Sequence, residues 1–344
     1  ALLVTSSLVQ SPIVIAHRGV PGERLEHTRA SYLLGVEQGA DFIEPDVVAT
    51  KDGVLVVRHE NEISSTTDVA EHPEFAHLQA TKFVDGVPIR GWFTEHCTLA
   101  ERKTLRCRER LRKVRPQNLA LAGTEPIMTF DEVLDLVAGE SVGVYVETKH
   151  PSYFRGIGLD LNDLLIENLT RRNLNDRDAN VIIQSMETAN LKALRTRTEL
   201  PLIQLMERTG APYDLTATYD PRDYAALTTS AELAKIAEYA DGIGPNKSLV
   251  IGRDKNHRLT GETGLVRAAH AAGLLVHVWT MRNENNFLPL DFKSSSDKSE
   301  AGDATAELLA FYRAGVDGVF ADYTETAVSA RAVHLSEAGR TSDQ

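Results

Sequence analysis

Nine short β-rich runs alternate with helix-length segments along most of the chain, and only "TKDG" (50–53) separates the second run from the third. The runs are "IVIAH" (13–17), "DFIEPDVV" (41–48), "VLVVRH" (54–59), "VGVYVE" (142–147) and "NVIIQ" (180–184), then "PLIQLM" (201–206), "DGIGP" (241–245), "LLVHVWT" (274–280) and "DGVFAD" (317–322). A parallel crossover needs a dozen residues or more, so the "TKDG" turn makes 41–48 and 54–59 an antiparallel hairpin. Setting the return strand aside leaves eight, and eight strand–helix repeats close into a barrel. Segments such as "FDEVLDLVA" (130–138), "ETANLKALRTR" (187–197) and "ETGLVRAAHAAG" (262–273) carry the apolar spacing of three and four that the intervening helices require. The expected fold is α/β: a (β/α)8 TIM barrel with an antiparallel hairpin return strand and a small, mostly helical insertion.

Residues 11–59 and 129–335 are expected to form the barrel, and 60–128 an insertion over its C-terminal face. That insertion has a helix expected at "TLAERKTLRCRERL" (98–111). A polar, flexible loop is expected at 283–302. Both segments follow strand ends, on the face where barrels place their sites, so each is a lid or mere decoration. The charge-free "ALLVTSSLVQ" (1–10) reads as a leader remnant outside the fold, which points to a secreted or periplasmic protein. No apolar run is long enough to span a membrane. A formal net charge of -12 argues against a nucleic-acid partner, which needs a basic face. Cys97 and Cys107 fit no zinc spacing and read as free thiols.

The polar ends of the strands carry the chemistry. "IVIAH" finishes in His17 and Arg18. Glu44 and Asp46 stand two apart and share a face, as do Glu147 and Lys149. Pairing about the turn brings His59 roughly opposite Glu44, within one residue of register. "VHVWT" delivers Trp279 to the same rim. Each feature alone has an ordinary explanation: a structural histidine, a solvated strand face, a surface ion pair, a core tryptophan. Together they converge on one mouth. Three carboxylates there would repel one another unless a divalent cation, Ca²⁺ or Mg²⁺ with Ca²⁺ slightly favoured, gathered them as oxygen ligands. Arg18 and Lys149 add positive charge, and the sum suits a phosphate. Two histidines flanking it can move protons to and from a phosphodiester.

"AHRG", "LEHT", "GADFIEPDVVATKDGVLVVRHE" and "ETK", with "VHVWTMRNENNF" and "GVDGVFAD" beyond, resemble the signature of the glycerophosphodiester phosphodiesterases, in the larger periplasmic or secreted bacterial form. The resemblance implies hydrolysis of a small glycerophosphodiester, such as glycerophosphocholine or glycerophosphoethanolamine, to glycerol 3-phosphate and an alcohol. It assigns His17 and His59 as the acid–base pair, Arg18 and Lys149 to the phosphate, and Glu44, Asp46 and Glu147 to the metal. It also implies attack by the glycerol 2-hydroxyl through a cyclic phosphate. The chain departs from the family pattern at His59-Glu60, where His-Asp is usual, at Leu25-Glu26, where Pro-Glu is usual, and at Met186, where an aromatic is common. Glu26 either orients the site or belongs to a helix cap. Two alternatives stay open: a related enzyme acting on lysophospholipid or teichoic acid, reached across Phe287 and Leu288, and an inactive barrel that only binds a phosphorylated ligand.

Overall fold

A computed structural model describes residues 11–342, so the expected leader remnant at 1–10 lies outside the described residues. Eight parallel strands close a barrel. Strand Ile13–His17 pairs on one side with Gly318–Ala321 and on the other with Phe42–Glu44. Phe42–Glu44 continues past Pro45 as Asp46–Ala49, and both pieces pair with Gly143–Thr148, which closes the circle. Val181–Ser185, Leu202–Met206, Gly242–Pro245 and Leu275–Met281 complete it. The return strand Leu55–Val57 lies antiparallel on Asp46–Ala49 as expected.

Alternation along these strands fills the barrel in tiers. Ile15, Tyr145, Ile182, Ile203 and Phe320 form an apolar plug, with Ile13, Phe42 and Trp279 packed on it. Two residues further along the same strands come His17, Glu147, Gln184, Leu205 and, just past the last strand, Asp322. The plug is therefore the floor of whatever sits at the C-terminal mouth. Outside the strands, the larger cluster of Val, Ile and Leu side chains seals them to the helices. Helix Phe130–Val137 is started by its cap: the Thr129 side chain accepts from the Glu132 amide, while Val133 and Leu134 bury their side chains.

The insertion differs from the sequence expectation. The helix expected over 98–111 is a single turn, Leu99–Arg102, capped at Thr98. Beyond it, Cys107 bridges to Thr67 and donates its amide to Glu125, and Arg108 donates to Thr66. Tertiary pairing with two neighbouring segments holds this stretch extended and overrides its helical propensity. The rest of 60–128 is short 3₁₀ turns and a hairpin, Ala80–Val84 with Val87–Gly91. The 283–302 loop is tied down rather than loose. Buried Asn285 donates to Ser294 Oγ and to the Asp297 carbonyl, and its own Oδ1 accepts the Ser294 amide. Cys97 and Cys107 are buried free thiols.

Candidate active site

His17, Arg18, Glu44, Asp46, His59, Glu147, Lys149 and Trp279 line one cavity of about 230 Å³ at the C-terminal end of the barrel. Strand register puts them there. His17 stands beside Glu44, Asp46 beside Glu147, and Glu147 beside Gln184. Arg18 follows in a left-handed backbone conformation (φ 58°), and Gly19 turns the chain away (φ 89°). Only glycine fits at 19, because a Cβ there would come within 2.3 Å of the Ser31 hydroxyl. That hydroxyl accepts from the Val20 amide and donates to the Arg18 carbonyl, fixing the turn.

His59 arrives by a different route. The hairpin pairs Val47 with Val57, which sets position 58 opposite 46 and position 59 opposite 45, one residue from the expected register. Strict alternation would then turn His59 away. The strand instead ends at Val57, and a bend at His59 swings it into the mouth. Arg58 takes the outward position, donating to the Glu26 and His27 carbonyls.

Burial dominates the electrostatics. It lowers the imidazole of His17 to about 4, although Asp322 raises it. It lowers that of His59 to about 3, with Arg18 and Lys149 pushing the same way. Both imidazoles are thus held neutral at pH 7. Burial also pushes Glu44 well above the carboxylate range, reinforced by Asp46 and Glu147, and Glu147 up to about 7 despite Lys149. Asp46 goes the other way: burial opposes ionisation, but His27, His59 and Arg18 hold it well below.

Several side chains that the sequence reading passed over complete the site. His17 Nδ1 lies 2.6 Å from Asp322 Oδ1. Asp322 also accepts from Arg115 (2.6 Å) and Arg282 (2.9 Å). Gln184 donates to Glu44 at 2.6 Å. His27 is fully buried with Nε2 2.9 Å from Asp46. Glu26 accepts from Arg18 (2.8 Å) and from Arg110 of the insertion (2.6 Å), while Thr28 caps the helix Arg29–Glu37. Glu26 therefore orients Arg18 and the capping role falls elsewhere. The Trp279 ring is fixed by donation from Nε1 to the Gly244 carbonyl.

The model of the Glycerophosphoryl diester phosphodiesterase family matches residues 17–326. The chain belongs to this family. It is accordingly a phosphodiesterase, a hydrolase. Glycerophosphodiester phosphodiesterase GDPD6 of Arabidopsis thaliana is 35% identical over 329 residues, covering 91% of this chain and 84% of that one. The glycerophosphodiester phosphodiesterase of Haemophilus influenzae is 26% identical over 353 residues, covering 95% and 91%. Among solved structures, an Oleispira antarctica phosphodiesterase in complex with the product sn-glycerol-3-phosphate shares the fold, with a TM-score of 0.61, 22% identity and 93% and 96% coverage.

Where this phosphodiesterase departs from the family pattern, the structure gives local answers. Glu60 approaches His59 Nδ1 at 2.9 Å and His150 Nε2 at 2.7 Å, so the longer side chain still reaches the histidine. Leu25 is buried, and Met186 lines the cavity wall. The three carboxylates fit a hard divalent cation in donor chemistry. Glu44 Oε1 and Glu147 Oε2 are buried without a hydrogen-bond partner, as is Arg18 Nε. They do not form a ready cage: among the described residues, no three His, Cys, Asp or Glu are gathered as a metal-holding set.

Proposed function

We propose that this phosphodiesterase cleaves glycerophosphodiesters such as glycerophosphocholine to sn-glycerol 3-phosphate and an alcohol, with His17 and His59 moving the protons. One observation carries the reading. His17, anchored through Nδ1 to Asp322, leaves Nε2 as the free nitrogen in a cavity that also holds His59, Arg18 and Lys149. The product named in the Oleispira complex supports the glycerol side of the substrate.

His17 is the base. Neutral imidazole with Nδ1–H donated to Asp322 carries its lone pair on Nε2, ready for the proton of the glycerol 2-hydroxyl. The hydroxyl oxygen then attacks phosphorus, the P–O bond to the alcohol breaks, and a cyclic phosphate remains for water to open. His59 is the acid. Before substrate enters, burial, Arg18 and Lys149 keep its proton off. A phosphate anion among Arg18 and Lys149 offsets their charge, so His59 gains a proton when substrate enters and passes it to the leaving oxygen. Glu44, Asp46 and Glu147 would hold one divalent cation, Ca²⁺ or Mg²⁺, whose charge neutralises the phosphoryl oxygens.

A lipid substrate is less well served. Leu288 is buried, and Phe287 stacks on Arg282 with the guanidinium 4.4 Å from the ring centre, so neither offers an apolar ramp to the mouth. The test is release of sn-glycerol 3-phosphate from glycerophosphocholine, before and after chelation, beside lysophosphatidylcholine. Release that stops on chelation and returns with Ca²⁺ or Mg²⁺ is expected. Full turnover after metal removal overturns the cation reading, and equal or faster turnover of the lipid overturns the substrate reading.

A further inference from the structure

The insertion reaches the site through one side chain. Arg115 lies in the 60–128 segment, just before a short 3₁₀ helix (Pro116–Leu121). Its guanidinium is 2% exposed. Nε donates to Glu284 at 2.6 Å, and one terminal nitrogen donates to Asp322 at 2.6 Å. Glu284 belongs to the 283–302 loop and also accepts from Tyr323 (2.9 Å). Asp322 follows the last barrel strand and reaches His17. Four segments far apart in sequence thus meet in one buried chain: Glu284, Arg115, Asp322, His17. Removing a partner from such a chain leaves a charge without compensation, which is why its geometry is tightly held.

We propose that Arg115 is a positioning residue for catalysis, by which the insertion fixes Asp322 against Nδ1 of His17 and so keeps the proton-accepting nitrogen, Nε2, facing the cavity. Asp322 has two oxygens. Oδ2 takes Arg115 and Arg282, which leaves Oδ1 aimed at the imidazole. Without Arg115, Arg282 alone holds Asp322, from one side and from a less buried position. The carboxylate is then free to rotate, and His17 populates the other tautomer, whose Nε2 carries the proton and cannot act as a base. Wrong-tautomer histidines are costly in the serine-protease triad by the same logic. The insertion is on this account part of the machinery, neither lid nor decoration.

The experiment compares the full-length protein with Arg115→Met, Arg115→Lys and Asp322→Asn. It reads kcat and KM on glycerophosphocholine, together with the His17 tautomer by long-range ¹H–¹⁵N NMR. Arg115→Met is expected to lower kcat by about 10- to 100-fold with KM within about threefold, and to convert a single Nδ1–H tautomer into a mixture. Arg115→Lys, with a single ammonium that cannot fork between Glu284 and Asp322, should fall between. Asp322→Asn keeps the shape and serves if Arg115→Met does not fold; it should lose at least as much kcat and show the same tautomer change. A folded Arg115→Met with wild-type kcat, or Asp322→Asn with an unchanged His17 tautomer, overturns the inference. The inference rests on the reading of His17 as base, but the tautomer signal does not need turnover. Inactive wild type would defeat the substrate reading, and the NMR comparison would still decide this one.

Discussion

At His17 and His59 the side chains are alike and their surroundings are not. His17 has a carboxylate behind it and an acidic neighbour, Glu44, with Oε1 3.8 Å from Nε2. His59 faces Arg18 and Lys149, with 31% of its side chain exposed. His17→Ala and His59→Ala are each expected to lower kcat by roughly a hundredfold or more while circular dichroism and cooperative melting stay native-like; normal turnover in either variant would contradict the pair. The pH dependence follows from burial. A base lowered to about 4 stays competent until pH falls through that value, so the acid limb of kcat/KM belongs near pH 4 and not near 6.5. An acid limb at 6 to 7 that persists with the cation saturating at every pH would remove His17 from the role, because protonation of Glu147 alone puts a limb there when the ion is limiting. Strand alternation made most of this site legible, since His17, Glu44 and Glu147 stand two residues beyond Ile15, Phe42 and Tyr145 of the plug and its packing. The same alternation points to Gln184 from Ile182 and to Asp322 from Phe320. Arg115 had no such signal: it sits in irregular chain, where neighbours are set by tertiary contacts that sequence spacing does not encode.

The hairpin Ala80–Gly91 shows what one strand-end histidine does for an element. His150, in a left-handed conformation after strand Gly143–Thr148, approaches Asp85 at the hairpin turn at 2.8 Å and Glu60 at 2.7 Å. Burial would lower its imidazole, but Asp85 and Glu60 outweigh it and raise it to about 9. A raised histidine stabilises fully below its unfolded value near 6.5, and that contribution is lost as pH climbs through 9. Glu60 is half exposed, so the clamp contributes about 1–2 kcal/mol after screening. Hydrogen exchange across 80–91, corrected for intrinsic rate, should therefore quicken between pH 7 and 9.5 in the wild type and be fast at both in His150→Ala. Equal protection at the two pH values in the wild type would rule the clamp out. Element for element, the barrel was readable because eight strand–helix repeats are a local pattern repeated. The insertion was not, because its one long helical-looking stretch pairs with residues 66–68 and 125 instead of with itself.

Over the whole molecule, charge decides how the mouth responds to a cation. The chain carries -12, and three of its carboxylates are buried together beside Arg18 and Lys149. Burial raises Glu147 to about 7 and Glu44 well above the carboxylate range, so a cation held by these carboxylates would have to displace protons. Two consequences have definite signs. Ca²⁺ or Mg²⁺ binding only the native state would stabilise it by about 2.7 kcal/mol at a hundred times its Kd, which for a chain of this size raises Tm by roughly 4 °C. The gain should shrink as pH drops from 8 to 6, because protons compete for Glu147 across that range, while the unliganded protein gains stability as that buried carboxyl protonates. Calorimetry with and without millimolar cation, at pH 8 and 6, reads both effects. Glu147→Gln should abolish the cation shift and its pH dependence together. A shift that survives in Glu147→Gln, or one larger at pH 6 than at pH 8, would place the ion somewhere other than on these carboxylates, and the acid–base pair would then have to be argued without it.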